Sequence, residues 1–137
     1  MADVVIDASV WVSRASEHDP AHERTVAWFD RQTTDGAIHA APVLVLAEMA
    51  GALARVSGSR ELAQDVVARV LRLPRLRLVA IDAGLGERAA EIAAELRLRG
   101  ADAVYVAVAE RLGLPLVTWD DEQYERARPL VPTLRPT

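Results

Sequence analysis

A chain of 137 residues, 51% hydrophobic and 26% charged, has the size and composition of one soluble globular domain, which argues against a disordered protein. It has no cysteine, hence no disulfide, thiolate metal site or cysteine nucleophile, and its 16 basic residues are all arginine, which removes chemistry that needs a lysine amine. A net charge of -4 exerts no global pull on a polyanion, so any nucleic-acid binding must rest on a local site.

Met1-Ala2-Asp3 lacks the basic region of a signal peptide, and the longest apolar stretches, such as 40–47, are too short to span a bilayer. A cytoplasmic protein with no membrane segment is expected. Val4-Val5-Ile6 reads as a strand buried on both faces, because its side chains point alternately up and down and all of them need cover. Asp7 and Ser9 stand where that strand stops. A short helix is expected over 8–14, then a polar turn at Ser16-Glu17-His18. Asp19-Pro20 pairs a capping aspartate with a first-turn proline and predicts a second helix running to about Gln32.

Residues 37–40, between Gly36 and Pro42, are a strand candidate, and Pro42 can open a third helix over 43–56 that ends near Gly58. Ser59 caps a fourth helix reaching Leu73, with Leu62, Val66 and Val70 stacked on one face. Pro74 stops it. A strand over 76–81 leads to Asp82 and a helix with an apolar stripe of Leu85, Ala89, Ile92 and Leu96, broken at Gly100. The run 101–112 has valines alternating as in a strand, yet its length and the glycine at 113 predict a buried helix. A strand over 116–118, a short helix over 121–127 and a proline-flanked edge strand over 130–134 complete the chain. Strands alternating with helices predict an α/β sandwich on a mostly parallel sheet, as one domain over 1–137.

Most acidic residues have an ordinary explanation. Glu87, Glu91 and Glu95 lie on a polar helix face, and Asp82 reads as an N-cap. Glu48 differs, being the only charged residue between Val43 and Ala54; a half-hidden carboxylate there needs a cation, a hydrogen-bond network or a wet cleft. Asp102 stands in the first turn of the most apolar helix, where it is a macrodipole partner or a site residue. Asp120 follows Thr118 at the end of a strand, as Asp7 precedes Ser9, and either aspartate is a cap or a ligand. Taken together, two aspartates at strand ends and two carboxylates on apolar helices converge, in such a sheet, on one acidic pocket. Crowded carboxylates need a positive charge between them, and oxygen-only donors favour Mg²⁺ or Mn²⁺ over Zn²⁺. Such a pocket handles phosphate, using metal to activate water and to stabilise an in-line displacement. His18, His22 and His39 lie apart from these positions and read as surface or packing residues, and Trp11 as core or dimer interface.

At these residues the sequence resembles a PIN domain, and within that family the VapC-type ribonucleases of toxin–antitoxin pairs. The resemblance rests on Val5-Ile6-Asp7-Ala8-Ser9, Glu48, Gly100-Ala101-Asp102-Ala103 and Val117-Thr118-Trp119-Asp120, in order and across nearly the whole chain. It implies a PIN-like three-layer sandwich with a five-stranded sheet, and Mg²⁺- or Mn²⁺-dependent cleavage of RNA. Carried over by position, Asp7, Glu48, Asp102 and Asp120 are the metal-binding, catalytic carboxylates, and Ser9 and Thr118 the hydroxyls behind them. Asp121 is an extra carboxylate that leaves the fourth ligand open. The family habit is a homodimer held inactive by a cognate antitoxin. Arg14, Arg97 and Arg99 are candidates for phosphate contact.

Two rival enzymes are disfavoured by composition. A receiver domain and the aspartate-nucleophile phosphatases both use a lysine, and the second also places another aspartate where Ser9 stands. A non-catalytic PIN-fold protein-interaction module remains the alternative.

Overall fold

The computed structural model describes residues 3–137; the Met1-Ala2 pair, read above for a leader, lies outside the described residues. Twelve elements follow one another: β1 (Val4–Ile6), α1 (Ala8–Ala15), α2 (His22–Asp35), β2 (His39–Pro42), α3 (Val45–Ser57), α4 (Arg60–Leu71), β3 (Leu76–Val79), α5 (Ala83–Leu96), α6 (Gly100–Leu112), β4 (Leu116–Val117), α7 (Asp121–Ala127) and β5 (Thr133–Leu134).

The strands form one sheet in the order β3-β2-β1-β4-β5, and every pairing is parallel, so the mostly parallel sheet expected above is wholly parallel. β1 is central, pairing Val4 with His39 on one side and Val5 with Leu116 on the other. The chain steps from β1 outward to β3, then crosses back to β4. Right-handed crossovers therefore put α1 to α4 on one face of the sheet and α5 and α6 on the other, giving three layers. The strand order reverses between β1 and β4, and their carboxyl ends open the crevice where sheets of this type bind ligands.

Local sequence accounts for most element ends. Ser59 caps α4 by accepting from the Leu62 N–H at 3.1 Å, Asp82 caps α5 at Leu85, and Gly113 closes α6 in a left-handed conformation with φ 67. Several expected boundaries move; the strand expected over 37–40 is His39–Pro42, and the one over 76–81 ends at Val79. Asp19-Pro20 makes a turn before α2 instead of opening it, because the Asp19 carboxylate is spent on Ala21 N–H at 2.8 Å and the Ser13 hydroxyl at 3.1 Å. α2 runs past Gln32 to Asp35, where Gly36 terminates it. Pro42 ends β2, paired with Val79, and α3 begins at Val45. The last strand shrinks to Thr133–Leu134, since β4 offers only Leu116 and Val117 to pair with.

The core gathers around β1, whose three residues are at most 3% exposed. Trp11 is buried against Phe29, ring centroids 5.0 Å apart, and so belongs to the core. The α6 segment that alternated like a strand is a helix buried from Tyr105 to Ala109, which explains its unbroken apolar character. Among the described residues no helix is long and apolar enough to cross a membrane.

Candidate active site

β1 delivers Asp7 to the reversal point, where it is only 5% exposed. There it is both cap and pocket residue: its Oδ2 accepts the Ser9 N–H at 3.0 Å, starting α1, and faces the Thr118 hydroxyl at 3.4 Å. β4 delivers Thr118 and Asp120 beside it. The Ser9 hydroxyl accepts the Trp119 N–H at 3.1 Å and lies 3.4 Å from Thr118 Oγ1, which in turn accepts the Asp120 N–H at 3.0 Å. These hydroxyls lace the ends of β1 and β4 together. Asp120 also caps α7, its Oδ1 accepting the Gln123 N–H at 2.8 Å.

The other two carboxylates arrive on helices from opposite faces. Glu48, near the start of α3, accepts the Tyr105 hydroxyl of α6 at 2.7 Å. Asp102 stands in the first turn of α6, its side chain 13% exposed. Arg99, just ahead of α6, spans two of them: its Nε is 3.3 Å from Asp102 and its Nη2 3.4 Å from Asp120.

Charge couples Asp7 to Glu48 and Asp102, and Asp102 to Asp120. Burial pushes the Asp7 carboxyl above its ordinary value, hydrogen bonds from Ser9 oppose the rise, and the Glu48 charge adds to it. Asp102 is raised too, by burial first and then by the charges of Asp7 and Asp120, with Arg99 working the other way. Burial and the bond to Glu48 also push the Tyr105 phenol up, so it keeps its proton and donates.

The remaining sequence candidates separate. Arg99 stands at the acidic cluster, but Arg14 lies at the far end of α1 with its guanidinium 4.8 Å over the Phe29 ring. Arg97 closes α5 in a left-handed conformation, φ 57, with its carbonyl accepting from Arg126. Asp121 turns outward, 93% exposed and paired with Arg135, so it does not support the cluster. None of the three lines the cleft described next. Of the histidines, His39 is buried among Trp11, Trp28 and Phe29, and His22 bonds the Ser13 carbonyl.

A cleft of about 730 Å³ opens from Glu48 and Asp120. The turn before α2 and the start of that helix form one wall and α3 the other, with Arg24, Arg55 and Trp119 on its surface. Among the described residues no three His, Asp or Glu side chains are arranged closely enough to hold a metal ion. The chemistry of the donors, if not their present spacing, is that of a hard divalent cation site: every donor is oxygen, two of the carboxyls are raised by burial and neighbouring charge, and Arg99 lies between Asp102 and Asp120.

The family model for the PIN domain matches residues 4–129. The chain belongs to the PIN domain family. No curated protein matches it. Solved structures with the same fold include VapC20 of Mycobacterium tuberculosis, a sarcin–ricin-loop-cleaving toxin. It is 23% identical with a TM-score of 0.73, over 88% of this chain and 92% of that one. The DNA-bound VapBC of Salmonella typhimurium is 20% identical, TM-score 0.72, over 100% of both chains. VapBC2 of Rickettsia felis, bound to a promoter DNA fragment, is 18% identical, TM-score 0.72, over 96% of this chain and 97% of that one.

In this PIN domain four residues at the site carried no role in the sequence reading. Tyr105 follows Asp102 by three positions, the spacing of one helix face. Gln123 follows Asp120 by three, the spacing of a capping box, and its Nε2 donates to the Asp102 carbonyl at 3.2 Å. Those two spacings were readable. Arg24 and Arg55 had no such signal, because only the packing of α2 against α3's side of the sheet brings them to one cleft.

Proposed function

We propose that this PIN domain is an endoribonuclease toxin of the VapC type, hydrolysing RNA phosphodiesters with Mg²⁺ or Mn²⁺ held by Asp7, Glu48, Asp102 and Asp120. The observation that carries this is the delivery of four carboxylates, from β1, α3, α6 and the end of β4, to the one reversal point of the sheet, beside a cleft with arginines on its walls. When bound, the cation supplies activation of water and neutralisation of the charge that develops on the phosphate.

The chain's own residues supply the rest. Asp7, Glu48, Asp102 and Asp120 bind the cation, and the Ser9 and Thr118 hydroxyls fix the two strand ends against each other. Glu48 has Oε1 tied to Tyr105, which leaves Oε2 to take a proton from the attacking water. Arg99 shields the carboxylates and is placed to meet the phosphate. A cognate antitoxin partner, a homodimer and a cytoplasmic site of action belong to the same reading; the VapBC complexes of the same fold support the first.

The test is RNA cleavage with Mn²⁺ by wild type, Asp7→Asn and Asp102→Asn. Each variant is expected to lose about 100-fold or more in rate, as when a group that stabilises transition-state charge is removed. If both variants cut as fast as wild type, the site is misassigned. If wild type neither cuts RNA nor binds Mn²⁺ by calorimetry, the chain is a PIN-fold interaction module.

A further inference from the structure

Beyond the acidic cluster, the cleft carries two cations that the catalytic reading leaves without a role. Arg24 lies on one wall, with its guanidinium 4.9 Å from the Trp119 ring centroid. Trp119 is itself pinned, its Nε1 donating to Thr25 Oγ1 at 2.8 Å and its backbone N–H to Ser9. Arg24 is thus a positive charge on a rigid indole shelf that leads directly to Asp120. Asp19 shares this wall, but its Oδ1 is occupied by Ser13 and Ala21.

Arg55 lies on the opposite wall, on α3. Ala47, Glu48, Gly51, Ala52 and Arg55 all face the cleft, and because Gly51 has no side chain the Arg55 guanidinium can lie back over it, on the side of Glu48. A Cβ at Gly51 would meet Arg55 Nη1 at 3.4 Å. Among the described residues neither arginine is within salt-bridge reach of a carboxylate, and of the arginines without such a partner these two are the ones that line the cleft.

Unpaired guanidiniums facing each other across a trough are phosphate ligands in waiting, since arginine's fork matches phosphate oxygens. We propose that Arg24 and Arg55 grip the backbone of an unpaired RNA strand on the cleft side of the scissile phosphate, with Trp119 lining its path. A cleft of about 730 Å³ has room for a few splayed nucleotides. This rests on the ribonuclease reading and names the substrate form and two residues that hold it.

The experiment uses the full chain carrying Asp7→Asn, a labelled single-stranded RNA, fixed Mg²⁺ and anisotropy titrations over a range of KCl. Arg24→Ala and Arg55→Ala are each expected to weaken binding several-fold and to flatten the slope of log affinity against log salt by about 0.7, one phosphate contact on a single strand. Arg24→Lys and Arg55→Lys retain the slope, because the charge remains. Affinity and slope unchanged in the double alanine variant would overturn the proposal. So would equal, arginine-dependent binding of duplex RNA, or binding of an acidic peptide with the same arginine dependence in place of RNA. Gel analysis of the same samples separates the two levels: cutting by Asp7→Asn sinks the catalytic assignment, whereas an unaltered salt slope sinks the arginine assignment alone.

Discussion

The Tyr105 hydroxyl of α6 donates to Oε1 of Glu48 on α3 at 2.7 Å, tying together helices from opposite faces of the sheet at the edge of the cleft. Tyr105 is fully buried and the carboxylate half-buried, so this bond fixes where Glu48 points. Tyr105→Phe keeps the ring in the core and removes only the donor. It is expected to cost about 1.5–3 kcal/mol in urea unfolding, the range for a hydrogen bond to a charged group. RNA cleavage is expected to fall at least tenfold, because Glu48 loses its orientation. Unchanged cleavage together with the stability loss would show that the bond is structural only.

Asp7→Asn is expected to stabilise the metal-free protein at neutral pH. Asparagine caps α1 as well as aspartate does, while the ionised carboxylate, held above its ordinary value by burial, is removed. The folded protein is penalised for ionising Asp7 at any pH above the folded-state value, and the penalty fades as pH falls to the ordinary 3.8. The gain, about 1–3 kcal/mol for a poorly compensated buried polar group, should therefore be largest near pH 7 and vanish near pH 4. Mn²⁺ should reverse the ranking: at a hundredfold excess over Kd it stabilises wild type by about 2.7 kcal/mol and leaves Asp7→Asn unmoved. Thermal melts with and without Mn²⁺ decide both points.

At the other end of the sheet, His39 controls a second pH dependence. Burial, then the positive charges of Arg14 and Arg75, push its imidazole down to about 4 from 6.5. A depressed base stabilises the fold fully above the unfolded value and loses that contribution as pH falls toward the folded one. Stability is therefore expected to drop between pH 6.5 and 4, by no more than about 3 kcal/mol. His39→Gln should abolish that slope in urea melts, and a slope that persists in the variant assigns it to another group.

Much of this molecule was legible locally. Element types could be read because helix caps and periodicity act within one turn of chain, as at Ser59, Asp82 and Gly113. Asp19-Pro20 misled for the same reason in reverse: the signature is local, but a hydroxyl on another element, Ser13, claimed the carboxylate. The acidic candidates stood out by type and position, Asp7 and Asp120 at strand ends and Glu48 alone in an apolar stretch. Nothing local could say whether they meet.

The sequence by itself determined the alternation of strands and helices, the buried β1 and the residue types available for chemistry, because each follows from side chains a few positions apart. Tertiary structure alone decided that β1 and β4 are neighbours, bringing Thr118 to Asp7 across 111 positions of chain. It also decided which arginine serves the carboxylates. Arg97 and Arg99 both stand just before Asp102 in sequence, and Arg14 was a third candidate, but a long, charged side chain goes where packing leaves it: Arg14 onto Phe29, Arg97 to the end of α5, and Arg99 between Asp102 and Asp120. That choice depends on the sum of burial over the whole sheet, which no short stretch of chain contains.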